Sequence, residues 1–497
     1  MANLISERFD CVLFDLGNTL IKQENPGTPY EDLSVQILPG VQELLEELRG
    51  WVKMGIVSNT QSITAVDIER KLGAAGLDTY FDVIIATAEL GKHKPDPEPI
   101  TAAIKQLNSI PERTLYIGDL ETDKQAAFAA GAHFAYTGPN AYASVEQYLL
   151  HSDSALDRAL HTQPIFSMQH VETVQKALDG LAKPVGALGR LEVVTAKIAG
   201  ITHSNIPTVD PTAIAVFGAD HGIASDNSVT PWPQAITGMM LEVMGENKAA
   251  VSVFAQNADV YIQIVNVGAV TDARSPHVRN VRVASGTNDI RSYDAMSREV
   301  AISALEVGAS TAERLIAGGS RTLLTGEVGI GNTTPSAALI ARLTGSTAQR
   351  VTGRGSGIDN ETFERKVLIV QQLIERTKAE KDPINLLAQI GGIEIAALVG
   401  YILRATSLQI PVVLDGVITL AAATVAKEIN PRIAQFLIAG HASSEPGSQI
   451  ALKHLELDPI LNLELRLGEG TGALLALPIL RASCQALSKM ARITDLI

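Results

Sequence analysis

Three polar residues stand at the ends of strand-like apolar runs early in the chain: Asp15, Ser58 and Asp119. In an open parallel sheet ligands sit beyond the carboxyl ends of the strands, so two carboxylates and a hydroxyl placed there can converge on one site. A lone strand-end aspartate is more often a turn or helix-cap residue, and only its recurrence points to chemistry. Glycine-rich loops carry a second set of candidates further along. Gly329, Gly331, Asn332, Thr333 and Thr334 precede a helical pattern over residues 335–343, which opens on proline. Free amides at such a helix start form an anion site that suits a phosphate. Gly353 and Gly355 form another such turn, with Lys366 on the helical pattern that follows. Glu469 lies between Gly468 and Gly470, which let the backbone approach a substrate closely. Outside any such setting it would read as a solvated turn charge. Asp220 and His221 form a pair that can bind metal or relay protons. No second His/Asp pair has ligand-like spacing nearby, so a structural turn is the expectation and no metal is expected in this half of the chain.

The elements that must position these residues are those of an α/β protein. Residues 9–15, 52–58, 83–86 and 114–118 read as short buried strands, and residues 41–48 as an amphipathic helix. From about residue 138 to 167 the strand pattern fades into a polar, His-containing stretch, expected to hold a terminal helix and a linker. Beyond it the chain turns rich in Ala, Gly and aliphatic residues, with helical patterns at 301–316, 361–379 and 393–406. The expected division is 1–140, a linker over 141–166, and 167–497. At 497 residues, two domains suit the length.

Composition narrows the function classes. The chain is 46% hydrophobic and 19% charged, with no apolar stretch approaching the ~20 residues that span a bilayer, so no membrane role is expected. A net charge of −14 repels nucleic acid on average, so no nucleic-acid partner is expected. Cys11 and Cys484 are too few for a disulfide framework, and residues 1–8 lack the pattern of a secretory signal; a cytoplasmic location is the expectation.

Four segments, FDLGNTL (14–20), VSNT (57–60), GKHKPDP (91–97) and YIGDLETD (116–123), resemble in order and placement the haloacid dehalogenase superfamily, over about residues 8–137. The resemblance implies a Rossmann-like parallel sheet with a helical cap or insert. It implies Asp15 as a nucleophile attacking phosphorus, with Mg²⁺ held by Asp15, the Gly17 carbonyl and Asp119. Ser58 and Lys94 would hold phosphoryl oxygens of a phosphomonoester, and Asp123 would orient the metal's water shell. Gly17 departs from the pattern. Relatives usually carry there a second aspartate that protonates the leaving alkoxide, a contribution of roughly 10²–10⁴ in rate. A phosphatase with another acid or a good leaving group, a slow or degenerate domain, and a different chemistry all remain open.

From about residue 167 the chain resembles the nicotinate-nucleotide:dimethylbenzimidazole phosphoribosyltransferases. The matching segments are KPVGALGRLE (183–192), FGADHG (217–222), GEVGIGNTTP (326–335), GRGSGID (353–359), GGIEIA (391–396), GHASSEPG (440–447) and RLGEGTGA (466–473). The resemblance implies a second α/β domain, a parallel sheet with additional helices. Its reaction would pass ribose 5-phosphate from nicotinate mononucleotide to 5,6-dimethylbenzimidazole or a related azole. The resemblance implies Glu469 as the base and Glu327 as a second glutamate beside the substrates. Lys366 and Ser443 fall in the phosphate region, although Lys366 also reads as a solvated helix cation beside Glu364. Trp232 falls in the aromatic-base pocket, where it would stack on the azole or pack in the core. No cofactor is implied for this half, and a homodimer is. Asn266, Ala442 and Ser448 depart from residues common in relatives, which leaves the azole open.

Joined, the halves suggest that the first dephosphorylates the α-ribazole 5′-phosphate made by the second. Two other readings stand beside this one: the first half as a noncatalytic binding or dimerisation module, and the second as an inactive nucleotide-binding regulator.

Overall fold

Strands buried on both faces must be nearly continuous apolar runs, and the runs of the first 137 residues fulfil this. A computed structural model of the chain describes residues 5–6, 9–22, 35–151, 154–226 and 228–496. The chain divides into two compact units, Met1–Asp153 and Ser154–Ile497.

In the first unit, β1 (Cys11–Phe14), α1 (Val41–Leu48), β2 (Lys53–Ser58), α2 (Ala65–Ala74), β3 (Val83–Ala86), α3 (Glu98–Gln106), β4 (Thr114–Gly118), α4 (Glu121–Ala129), β5 (His133–Tyr136) and α5 (Ala141–His151) follow one another. The strands form one sheet in the order β3-β2-β1-β4-β5, every pair parallel. Helix α1 buries Val41, Leu44, Leu45 and Leu48, the i, i+3, i+4, i+7 stripe expected of an amphipathic helix. The chain runs outward from β1 in both directions, so the switch in strand order lies between β1 and β4. The connections β2–β3 and β3–β4 carry only short helices. The helical cap or insert expected from the sequence is therefore not found among the described residues; residues 23–34, between β1 and α1, lie outside them.

The second unit contains α6 (Ala155–His161), α7 (Met168–Asp179), α8 (Arg190–Thr202), β6 (Thr212–Ala219), α9 (Ile236–Gly245), α10 (Ala250–Asn257), β7 (Tyr261–Gly268), β8 (Val278–Asn280), α11 (Arg298–Ala317) and β9 (Thr322–Val328). It continues with α12 (Thr333–Thr344), α13 (Asn360–Arg376), α14 (Pro383–Ile390), α15 (Ile393–Ser407), β10 (Val412–Leu414), α16 (Val417–Ile429), β11 (Leu437–Ala439), α17 (Pro446–Leu455) and α18 (Thr471–Lys489). Residues 141–166, expected to hold a terminal helix and a linker, include both α5 and α6. The sheet runs β11-β10-β9-β6-β7-β8, again all parallel, with its switch between β6 and β9. Helix α15 is buried along its whole length, as an apolar-all-round helix must be. Among the described residues no helix is long and apolar enough to cross a membrane.

Helices α11 and α15 cross where two glycines meet. A Cβ on Gly308 would fall 1.7 Å from the Ala397 carbonyl oxygen, and one on Gly400 would fall 1.9 Å from that of Leu305. Backbone cannot yield to such a clash without moving a helix. Gly400→Ala should therefore destabilise the second unit by about 3 kcal/mol. Urea unfolding would show this as a lower midpoint at unchanged slope.

Candidate functional site

Each sheet gathers polar side chains at the carboxyl ends beside its switch point. In the first unit Asp15 follows β1, Ser58 ends β2, and Asp119 follows β4. Lys94 is buried among them. Its Nζ lies 2.6 Å from Asp15 Oδ1 and 2.6 Å from Asp123 Oδ1, and donates to the Tyr116 hydroxyl at 2.8 Å and the Val57 carbonyl at 3.1 Å. Asn59 clamps the lysine's backbone, accepting from Lys94 N at 2.9 Å and donating to Lys94 O at 3.1 Å. Burial pushes the Asp15 carboxyl up to about 6 against the pull of Lys94. Asp119 is also raised, by burial and then by Asp123.

Carboxylate oxygens of Asp15, Asp119 and Asp123 lie within 4.8 Å of one another, and the buried Asp119 Oδ1 has no hydrogen-bond partner among the described residues. An oxygen-only set with an orphaned lone pair fits a hard divalent cation. Asp123, expected to act on the metal's water, belongs to this cluster itself. Gly17 sits in a turn closed by Asn18 N donating to Ile21 O at 2.8 Å.

In the second unit the groups come from β6, β9, β10 and β11. Glu327, on β9, accepts from Asn332 Nδ2 at 2.5 Å. Full burial, followed by the nearby charges of Glu394 and Asp415, pushes its carboxyl up to about 8. Glu469 is buried too, with its pKa raised first by that burial, and its Oε2 accepts from Val251 N at 3.4 Å at the start of α10. The loop carrying it presses on Glu327: a Cβ on Gly468 would lie 2.5 Å from Glu327 Oε1. Gly472 leaves room for the His441 ring, whose Cδ2 would be 1.9 Å from a Cβ there. The glycines of RLGEGTGA are thus required by their neighbours.

Lys366 is 1% exposed, which removes its reading as a solvated helix cation. Its Nζ donates to Thr333 Oγ1 at 2.8 Å and to Gly353 O at 3.2 Å, joining the second glycine turn to the N-terminus of α12. Burial lowers this lysine to about 8, with Glu445 opposing. Glu445 Oε1 accepts from Gly355 N at 2.9 Å, so the turn is held from two sides. Ser443 Oγ accepts from Glu445 N at 3.4 Å. Gly329 and Gly331 occupy the turn between β9 and α12 as expected.

Trp232 is 49% exposed, so it does not pack in the core. Thr230, two residues before it, meets Ser356 Oγ at 3.4 Å, tying this loop to the 353–359 turn. Asp220 and His221 turn to different partners: Asp220 Oδ2 accepts from Val270 N at 2.7 Å, and His221 Nε2 lies 2.7 Å from Glu394 Oε1.

Asn59, Tyr116, Glu394, Asp415 and Glu445 were not singled out from the sequence. For Asp415 the signal was present, since it ends an apolar run just as Asp15 does. The partners of the others lie far along the chain, and nothing in local sequence marks them.

A family model described as a phosphoribosyltransferase matches residues 164–495, and one described as a haloacid dehalogenase-like hydrolase matches residues 28–137. The nicotinate-nucleotide–dimethylbenzimidazole phosphoribosyltransferase of Halalkalibacterium halodurans is 40% identical over 321 residues, 64% of this chain and 90% of that protein. Its counterpart from Salinispora tropica is 39% identical over 340 residues, 65% of this chain and 93% of that protein. The solved structure of CobT from Thermus thermophilus superposes with a TM-score of 0.64 at 37% identity, covering 66% of this chain and 98% of that one.

The buried Glu327 yields a stability signature. Its folded pKa, about 8, exceeds the ordinary value of 4.5. The folded state therefore binds the extra proton between those values, and this contribution, complete below pH 4.5, is lost as pH rises through about 8. Glu327→Gln should flatten that decline, by up to roughly 1.4 kcal/mol per pH unit. Urea titrations of parent and variant at several pH values measure it; parallel curves would contradict the assignment.

Proposed function

The chain belongs to the nicotinate-nucleotide:dimethylbenzimidazole phosphoribosyltransferase family, and from that premise we propose that its second unit transfers ribose 5-phosphate from nicotinate mononucleotide to 5,6-dimethylbenzimidazole or a related azole. The observation that carries this reading is the burial of Glu469 at the sheet's switch point, in a loop pressed against Glu327. One azole nitrogen gives its proton to Glu469 while the other bonds to C1′. The C1′–N bond to the pyridinium breaks, and its electron pair leaves with the ring as neutral nicotinate nitrogen. Attack opposite the departing ring inverts a β nucleotide to the α product. The raised basicity of Glu469 suits it to this proton. Glu327 holds the ribose hydroxyls, and Asn332 fixes its carboxyl. The 5′-phosphate sits at the α12 N-terminus against Gly329, Gly331 and Thr333, with Lys366, Gly353, Gly355 and Ser443 around it. Trp232, exposed beside the 353–359 turn, stacks on the azole.

The first unit is a haloacid dehalogenase-like domain, and its proposed role is hydrolysis of the α-ribazole 5′-phosphate that the second unit makes. Asp15 attacks phosphorus as the ester P–O bond breaks, the electron pair leaves with the ribose 5′ oxygen, which takes a proton from water, and a second water hydrolyses the aspartyl-phosphate to phosphate; Ser58 and Lys94 lie on the phosphoryl oxygens. The site fits Mg²⁺: Asp15, Asp119 and the Gly17 carbonyl would hold it, with Asp123 in the same cluster. When bound it would neutralise charge between carboxylate and phosphate.

Glu469→Gln should lower the rate of nicotinate release about 10²–10⁴-fold with little change in folding. Release at the parent rate would overturn the assignment of the base. For the first unit, parent and Asp15→Asn proteins are incubated with nicotinate mononucleotide, dimethylbenzimidazole and Mg²⁺. Phosphate is expected from the parent alone, while the variant accumulates the phosphorylated product. Equal accumulation in both would remove the phosphatase role.

A further inference from the structure

Glu469 itself sits in a backbone conformation that a residue with a side chain does not favour. Residues 468–470 run at φ +83°, +63° and +97°, and the left-handed region is unfavourable for a non-glycine residue such as Glu469. The helix that follows, α18, has no cap from its own N-cap residue, Gly470. Thr471 bonds back to Gly468 O through its amide at 3.1 Å and its hydroxyl at 2.9 Å, and the rest of what holds the turn comes from 55 residues away. Asp415, at the carboxyl end of β10, accepts from Gly470 N at 3.0 Å through Oδ2, and from Gly472 N at 2.7 Å and Ala473 N at 3.2 Å through Oδ1. Its own amide donates to Thr325 Oγ1 at 3.2 Å, on the neighbouring strand. His441 Nε2 lies 3.4 Å from Oδ1, with the ring seated over Gly472. Both side chains are buried, and His441 Nδ1 has no partner among the described residues.

We propose that Asp415 is the positioning residue of the transfer reaction, binding the 468–473 turn through three amides so that the Glu469 carboxylate stays aimed at the azole, with His441 as its support. The proposal rests on the reading of Glu469 as the base. The usual cap of a helix is the side chain of its own N-cap residue, which Gly470 lacks. This one reaches across from a neighbouring strand's end and places its charge beside the base. The groups facing Glu469 are Asp415 from β10, Glu327 from β9 and the Val251 amide from α10; His441, after β11, stands against Asp415. Burial raises the Glu469 pKa most, the Val251 amide opposes it, and Asp415 raises it further.

Asp415→Asn in the full chain tests this with two readouts. Nicotinate release across pH should show kcat reduced about 100-fold, as for a misplaced catalytic group. The Michaelis constant for nicotinate mononucleotide should move less than about threefold. The acid limb of kcat should shift to lower pH, because one negative charge beside the base is gone. A merely structural role would not move that limb. Hydrogen exchange, which needs no activity, should show the amides of Gly470, Gly472 and Ala473 exchanging about tenfold faster or more while α15 stays protected. Parent-like exchange at those amides, or a parent-like kcat and acid limb, overturns the proposal. If Asp415→Asn does not fold, Thr325→Val carries the test. It removes the hydroxyl that accepts from the Asp415 amide and donates to the Val413 carbonyl, leaving the Asp415 side chain in place, and smaller changes in the same directions are expected; parent-like values for a folded Thr325→Val again overturn it. A parent protein that releases no nicotinate would instead bring down the reading of Glu469, while the exchange arm still decides whether Asp415 holds the turn.

Discussion

A carboxylate taken out of water must be given other donors, a cation or a proton, because burial penalises its charge. The second unit's site is arranged around that constraint. Glu327, Glu394, Asp415 and Glu469 are all buried there; Glu394 lies against His221 and Asp415 against His441, and among the described residues no lysine or arginine pairs with any of the four. Asp415 takes three backbone amides, Glu469 takes the start of α10, and Glu327 takes Asn332 and keeps its proton up to about pH 8. A pocket so furnished still lacks positive charge. Lys366, buried at the α12 N-terminus, is bonded away from these carboxylates, to Thr333 and Gly353. The buried lysine and the buried carboxylates of this unit thus stand in separate surroundings.

The first unit answers the same constraint with a lysine. Lys94 lies between Asp15 and Asp123, and the Tyr116 hydroxyl and Val57 carbonyl take its other hydrogens. Because Asn59 fixes the lysine's backbone at both N and O, the ammonium cannot follow a departing partner far. A phosphoryl group entering beside Asp15 would find its counter-charge already in place, so little reorganisation accompanies binding. The missing side chain at Gly17 affects a different part of the chemistry. Glycine there leaves one ionisable carboxyl fewer beside the Asp15, Asp119 and Asp123 cluster than an aspartate would.

What could be read from the sequence follows the range of each interaction. Short buried strands ending at Asp15, Ser58 and Asp119, and glycine turns opening helices at 329–334 and 353–357, are local patterns, and the fold places them as those patterns imply. The α1 stripe and the α11, α13 and α15 helices were visible for the same reason. Pairings such as His221 with Glu394, 173 residues apart, or Asn59 with Lys94, 35 apart, have no local signature. Lys366 shows the limit from the other side. Beside Glu364 on an amphipathic helix it resembles a solvated charge, and only the packing of α13 against α12 reveals that its ammonium is buried.

The residues that differ from common family members have physical explanations of unequal strength. Asn266 Nδ2 donates to Thr271 O at 3.0 Å and to Asn280 Oδ1 at 2.9 Å, while its Oδ1 accepts from Ala269 N at 2.9 Å. A carboxylate there would set an oxygen against two acceptors, so in this chain the amide is the side chain its neighbours require. Its bonds all stay within the protein, and the change from aspartate alters loop packing after β7 rather than any group offered to a substrate. Ala442 is buried between His441 and Ser443, where a small side chain leaves both neighbours in place. Ser448 is buried in the first turn of α17 with its hydroxyl unpartnered among the described residues, and nothing in the structure explains the choice of serine. If azoles bind as proposed, the choice among them falls to side chains other than Asn266 and Ala442, and Trp232, exposed in the loop that Thr230 ties to the 353–359 turn, is the kind of group that would make it.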